Sequence, residues 1–570
     1  MQADETGRLS ALLVGLRRFL VCGVLAAVLF LPIAVQQSVE RARFDDRLGT
    51  FPVTVSLAHN GRSTLDTGVV GKLYWERTGI AGFGASLRST GPPEAGGDLS
   101  SYVSSEFLQA NAAFIDDPAQ VARVYGEELR DRMLGTLLVA ELLAALVGGV
   151  LGSVLVSRYR SGLPRAQRRL RFAVPVTLFA VLMTASLAVA GSMFARWEGN
   201  ASVGTTYSMP GIEDLSFSSP QTREIAVQIE PFIQKNSDRI AERSAAYRAA
   251  ALESAEAELS AYADSLAPRE GEVVVLTEAD PQGSQVATRM RTELYPLLVD
   301  VLGEDSVVLR TIAGDVTSNG TVAEEEFVER EARALPDVPL VAVKGDHDSD
   351  DTVEQLQSND AQTPDLEVVE AGGLTVAGAA DPAFKALFGG LVTNPSGVTE
   401  PELGEALREA VDEELDDGEP VTVVVHQPRA AAAYLGIGST SELDDLLGNE
   451  TAPVDDGIPD LPPGLVTIGH LHDASGPWVI WNTDGDEVTW TVVSQLGTSG
   501  GVEENPTFNR FSTPFSVPLK DVSIRLAYVD EESGLQTGYA SVVVDTAGEV
   551  TVEDRVDVGL PDGLPGDPID

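Results

Sequence analysis

Three long apolar runs dominate the first third of the chain. They cover Phe19 to Val35, Met133 to Val156 and Phe172 to Phe194, and the second contains one acid, Glu141. Each approaches or reaches the roughly 17–25 residues that a bilayer-crossing helix needs. Between the first two, residues 36–132 alternate apolar and polar positions in patches such as TVSLAH and KLYWER, with many glycines. That pattern predicts a small β-rich segment. From Gln221 to Leu266 the chain is rich in Ala, Glu and Arg with few breakers, and Pro268 and Gly271 follow. This predicts a helix, expected to act as a linker over 195–268 that lifts the next domain off the membrane. From Val273 onward short runs such as VVVL, VVLRTIAG, LVAVKG, VTVVVHQP and LVTIGHLH alternate with helix-like stretches including VATRMRTELYPLLVDVL and EPELGEALREAVDEEL. Alternation of that kind predicts an α/β domain over 269–560. After residue 472 only strand-like runs recur, and the Pro-, Gly- and Asp-rich residues 561–570 are expected to be disordered.

Arginines give the apolar runs a direction. Arg8, Arg17 and Arg18 precede the first run, and Arg158, Arg160, Arg165, Arg168, Arg169 and Arg171 lie between the second and third. The positive-inside rule puts both clusters in the cytoplasm. The expectation is a multi-pass cell-membrane protein: residues 1–35 hold a cytoplasmic end and a retained anchor, 36–132 lie outside, 133–194 hold two spans with a basic loop, and everything after them is extracytoplasmic. QQSVERARF follows the first run without a clear small-x-small cleavage site, which favours an anchor over a cleaved signal peptide. Glu141 is expected to be a protonated or paired acid facing another span.

Composition narrows the partners. With 39 Lys and Arg against 87 Asp and Glu, the formal charge is 39 − 87 = −48. A chain this acidic is not expected to grip a nucleic-acid backbone, which needs clustered cations. The expected partner at this point is the lipid bilayer. Cys22 is the single cysteine, so no intrachain disulfide can form. The glycines of GIAGFG lack the strand–loop–helix context of a nucleotide site and are expected to form turns.

Histidine is the informative residue. Four of the five fall in three short patterns: GDHD at Gly345–Asp348, HQP at His426–Pro428 and GHLH at Gly469–His472. GDVTSNG precedes them at Gly314–Gly320. Each pattern closes an apolar run, so metal-binding and acid–base side chains gather at the ends of several strands. Asp and His are ligands that divalent transition metals take. The fifth histidine, His59, stands alone and is expected to be structural.

The ordered set GDxxxxG, GNH[DE], strand-His and GHxH marks the calcineurin-like metallophosphoesterases, and this chain resembles that family over roughly Gly271 to Gly497. The resemblance implies a two-sheet αββα sandwich, here preceded by three transmembrane helices and the β-rich segment. It implies two divalent ions, drawn from Mn, Mg, Fe or Zn, and hydrolysis of a phosphate ester. It makes Asp315 the carboxylate shared by both ions, His426 and His470 ligands of the second, and His472 a ligand of the first. Asp346 stands where the family has Asn, still offering an oxygen but adding a charge. His347 corresponds to the histidine facing the leaving group. Arg429 can meet phosphate or form an exposed ion pair.

The family's first motif, a strand followed by DxH, is altered. Matching by position puts Glu278 in place of the Asp and Asp280 in place of the His; a slipped match would use Asp280 and Gln282. Either way the first ion loses an imidazole, which favours harder ions over Zn. A catalytically impaired relative with a ligand-binding or scaffolding role in the envelope is the alternative expectation.

Overall fold

A computed structural model describes residues 2–48, 51–58, 62–66, 71–75, 83–90, 118–162, 170–196, 204–210, 215–385, 392–416, 418–441, 443, 461–482, 489–502 and 516–558. His59 and the tail 561–570 lie outside the described residues. The chain divides into two units. One comprises Met1–Asp46, Pro52–Gly91 and Ala119–Glu230, and the other is mainly Pro231–Asp570.

The first unit contains α1 (Gln2–Arg41), α2 (Pro118–Gly162) and α3 (Leu170–Arg196). Stretches of each are long and apolar enough to cross a membrane: Leu13–Arg41, Arg123–Tyr159 and Ala173–Ala195. Their large apolar side chains point outward; Leu138, Leu155 and Val176 are 62%, 65% and 66% exposed. Exposure on that scale suits hydrocarbon rather than water, and suggests membrane association.

Small residues set the α1–α2 crossing. A Cβ added to Gly148 would lie 1.9 Å from the Ala26 Cβ, and one added to Gly152 would lie 2.7 Å from the Cys22 Cβ. Backbones approach this closely only where side chains are missing, as is usual between membrane helices. Gly152→Cys therefore sets a second thiol against Cys22, and mild oxidation should cross-link the two. Adding Gly148→Leu should abolish the cross-link, read as retention of free thiols in the monomeric fraction.

The same unit carries a seven-stranded sheet. Its strands are β1 (Arg43–Leu48), β2 (Phe51–Ala58), β3 (Ser63–Asp66), β4 (Lys72–Trp75), β5 (Gly84–Ser89), β6 (Tyr207–Ser208) and β7 (Ser216–Phe217), in the order β1-β2-β5-β3-β4-β7-β6. The last two were not expected. They form a short hairpin within the predicted linker and join the sheet through Leu73 opposite Phe217.

The helix α4 (Pro220–Leu266) also departs from the expectation of a linker. Tyr247, Ala251, Ala255 and Leu259 recur every four residues on one face and are buried in the second unit's core, together with Leu266. Small residues there bring the helix close to the sheet, so residues 247–266 belong to the domain itself.

Two sheets build that domain. One contains β8 (Glu272–Glu278), β9 (Val307–Ile312), β10 (Leu340–Ala342), β17 (Val522–Asp530), β18 (Gln536–Val544), β19 (Val550–Val552) and β20 (Val556–Asp557), in the order β10-β9-β8-β17-β18-β19 with β20 also on β18. The other runs β11-β12-β13-β14-β16-β15, from β11 (Glu367–Ala371), β12 (Leu374–Gly378), β13 (Val421–Val425), β14 (Gly464–Ile468), β15 (Ser475–Asn482) and β16 (Thr489–Gln495). The helices are α5 (Gln285–Leu302), α6 (Glu325–Ala332), α7 (Asp350–Ser358), α8 (Glu400–Glu414) and α9 (Pro428–Tyr434).

Strand parity explains why these runs are apolar throughout. Val274 and Leu276 of β8 pack toward α4 and α5, whereas Val273 and Val275 enter a core shared with Val376, Val424, Leu465 and Val492 of the other sheet. Likewise Val423 and Val425 of β13 pack with Leu403, Leu407 and Val411 of α8. A strand buried on both faces has no polar side to alternate with. Burying each such Val or Leu contributes roughly 1.5–3 kcal/mol before entropy is counted.

Candidate metal centre

Five parallel-paired strands from the two sheets end at one place. β8, β9 and β10 pair in parallel in one sheet, and β13 and β14 in the other. Just beyond their carboxyl ends come Asp280, Asp315, Asp346 with His347, His426, and His470 with His472. Ligands in α/β folds usually bind at such ends. The turns are tight: Asp280, Gln282, Asp315, His470 and His472 have φ of 54°, 43°, 54°, 72° and 58°. Asp and His tolerate this left-handed region better than most residues.

The side chains converge as two groups. Asp315, Asp346, His426 and His470 offer donor atoms within 4.8 Å of one another, and so do Asp280, Asp315 and His472. Asp315 belongs to both. In the first group His426 Nε2 lies 3.0 Å from Asp346 Oδ1 and 3.4 Å from Asp315 Oδ2, and His470 Nδ1 lies 3.4 Å from Asp346 Oδ1. In the second, His472 Nε2 lies 3.5 Å from Asp280 Oδ1.

Backbone carbonyls orient two of the rings. His426 Nδ1 is 2.9 Å from the Ala313 carbonyl, and His472 Nδ1 is 2.8 Å from that of Val502. A carbonyl only accepts, so each Nδ1 carries a proton and each Nε2 faces inward, placed to donate to a carboxylate when the ring is charged and to ligate a metal when it is neutral. His472 Nε2 is buried with no hydrogen-bond partner. His470 is fixed instead through its backbone, whose N–H donates to the Asp280 carboxylate at 3.1 Å.

The electrostatics call for a cation. Burial pushes the Asp346 carboxyl up, but hydrogen bonds from His426 and His470 outweigh it and hold it below its ordinary range. Burial likewise pushes His426 down, and is outweighed chiefly by Asp315, with Asp346 and Asp280 helping, so its pKa rises. His470 and His472 are raised in the same sense, by Asp346 and Asp280 respectively, against burial. A divalent ion would supply that neutralisation with the rings neutral. The paired carboxylates, the inward-facing ring nitrogens and the His472 Nε2 without a hydrogen-bond partner fit a metal ion.

His347 is buried beside this cluster. Its N–H donates to Asp315 Oδ1 at 2.8 Å, its Nε2 lies 3.9 Å from Asp315 Oδ2, and its Nδ1 has no hydrogen-bond partner. Asp348 braces the two turns by accepting from the amides of Val316, Thr317 and Gly345. Burial and then the charge of Asp315 push its carboxyl up to about 6, against those donors. Arg429 is exposed, with Glu400 its neighbour at 3.8 Å.

Glu278 is not part of the cluster, which corrects the position-matched reading of the first motif. Its Oε1 accepts from Arg291 and Tyr295, and its Oε2 from Arg310 at 2.6 Å. Both guanidiniums also bind Glu331. Two cations and two carboxylates, all buried, close this network and occupy both Glu278 oxygens. Asp280, two residues further on, is the carboxylate that reaches the histidines.

Sequence reasoning missed several supports. The Val502 and Ala313 carbonyls carry no signal in residue type. Asp381, which accepts from Gln427 Nε2 at 2.7 Å beside His426, is equally invisible, although Gln427 stands in the HQP pattern. No family model and no curated protein matches the chain.

Proposed function

We propose that the second unit is a calcineurin-like metallophosphoesterase domain with the αββα sandwich of that family, and that it hydrolyses a phosphate ester. The observation that supports this most is Asp315, shared between two donor groups built from the ordered motifs. A carboxylate common to two donor groups would suit a site that holds two ions.

Asp280, Asp315 and His472 would hold one divalent ion, and Asp315, Asp346, His426 and His470 the other. Such ions, when bound, would supply Lewis acidity and an activated water. The chain's residues do the rest. The His347 amide holds Asp315 in place. His347 Nδ1, buried without a partner, is the group available to give a proton to the departing ester oxygen. Asp348 keeps the two turns in register. Asp346, unlike a neutral Asn, brings charge toward the substrate, so it tightens the metal at some cost to anion binding.

The arginine clusters and three candidate spans support an extracytoplasmic domain. In a Cys22→Ser background, a cysteine at Gln355 should react with an impermeant thiol reagent in intact cells, and one at Ser161 should not. The opposite pattern would reverse the orientation. Activity is tested on the full chain, stripped and reloaded with Mn, Mg, Fe or Zn, with aryl phosphomonoesters and phosphodiesters. Turnover that needs added metal and disappears in His347→Ala supports the reading. Metal uptake without turnover on either ester class favours a non-catalytic binding role instead.

A further inference from the structure

Gln282 is 1% exposed, and its carboxamide is only half satisfied. Nε2 donates to Asp315 Oδ2 at 3.2 Å, while Oε1 is buried without a hydrogen-bond partner. The backbone leaves this side chain little choice of direction. The Gln282 N–H donates to the Asp315 carbonyl at 2.8 Å, and the Gln282 carbonyl accepts from Ser318 Oγ at 2.8 Å. Gly283 continues the clamp by donating to the Val316 carbonyl at 3.0 Å. A buried carbonyl oxygen without a donor is rare, because its lost hydration is not replaced. Here it belongs to a side chain whose other end touches the carboxylate shared by both donor groups.

We propose that Gln282 Oε1 is a metal ligand, completing the group of Asp280, Asp315 and His472. This rests on the two-ion reading above and deepens it by making the two positions chemically unequal. The first group then has three oxygens and one nitrogen. The second, Asp315, Asp346, His426 and His470, has two of each. A neutral amide oxygen is a hard donor of the kind that Ca2+ sites and other oxygen-rich sites use, and imidazole suits later transition metals. The first position then tolerates Mn2+ better than the second does, although Zn2+ outbinds Mn2+ at either when the two are equally available. The Nε2–H to Asp315 bond also orients the shared carboxylate, as partners of metal ligands commonly do.

Variants at Gln282 separate ligation from positioning. Full-length protein is stripped, reloaded with two equivalents of Zn2+ and a large excess of Mn2+, which offsets the greater affinity of Zn2+, and assayed by elemental analysis and by Mn2+ electron paramagnetic resonance. The unmodified chain should hold one Mn and one Zn. Gln282→Ala should lower Mn affinity at least about ten-fold, as loss of even an indirect ligand partner does, and leave Zn in place. Gln282→Glu keeps the oxygen and loses the donor, so it should retain Mn; a purely positioning role through Nε2 predicts that it loses Mn as Gln282→Ala does. Gln282→His should exchange the Mn for a second Zn. Thermal unfolding of each stripped variant controls for misfolding. If Gln282→Ala binds Mn as tightly as the unmodified chain and with the same spectrum, Gln282 is not a ligand and the two-ion reading stands. If the unmodified chain takes up no metal, both readings fall.

Discussion

Asp315→Asn is expected to strip the candidate site of metal. Asp315 is the one residue present in both donor groups. An amide there loses the negative charge and offers one oxygen where the carboxylate offers two. Losing a mere partner of a metal ligand typically costs 10–100-fold in affinity, so a shared ligand should cost at least about 100-fold for both ions. Elemental analysis after gel filtration should find well under one ion per chain, and metal-dependent turnover should vanish with it. The stripped protein should stay folded but lose some stability, because burial pushes the Asp315 carboxyl up yet His426 outweighs it and holds it below its ordinary range, and the amide gives up that attraction. His470→Ala should affect one group only. An Asp315→Asn chain that retains its full metal content would overturn the assignment of the site.

Glu278→Ala should do the reverse, although Glu278 is only two residues from Asp280. It would leave Arg291 and Arg310 buried with one carboxylate between them. Breaking a buried ion pair from one side costs about 3–5 kcal/mol. Denaturant unfolding should show that loss, and the fraction that remains folded should bind metal normally. Asp280→Ala should bind metal poorly and unfold nearly as the unmodified chain does. The network also predicts a pH dependence. Burial pushes Glu331 up, but Arg291 and Arg310 outweigh it and hold it at about 2, below its ordinary 4.5. A lowered carboxylate stabilises the fold fully above its unfolded pKa. That contribution is then lost as pH falls from about 4.5 toward 2. Glu331→Gln should flatten this part of the acid-unfolding profile while lowering stability at neutral pH.

The strand ends that carry Asp315, Asp346, His426, His470 and His472 were readable because each follows an apolar run and lies in a patterned turn. The first motif was not readable at residue level. Glu278 and Asp280 both follow the same run, and extended chain would put both on one face. The strand stops at Glu278, however, and the backbone turns left-handed at Asp280. What claims Glu278 is a pair of arginines from α5 and β9, and nothing next to it in the sequence announces them. The misreading of α4 has a different cause. Its composition suggested a solvated spacer, but the four-residue recurrence of Tyr247, Ala251, Ala255 and Leu259 was already a buried-face pattern. Small alanines hid it. A soluble fragment beginning near residue 268 would therefore lack part of its own core, and one intended to fold should begin upstream of Tyr247.

The left-handed turns at Asp280, Gln282, Asp315, His470 and His472 carry a trade-off. A non-glycine residue in that region typically costs on the order of 1–3 kcal/mol, less for Asp and His. These residues are held there by the fold, as when the Asp280 N–H donates to the Gly314 carbonyl at 3.1 Å. An arriving ion therefore meets donors already aimed, and little ordering accompanies its capture. Glycine at Asp280 would relax the backbone and delete the donor together, so selection for thermal robustness alone would erode this site first. Any stabilised variant of the chain should be checked at these five positions before its loss of function is attributed to anything else.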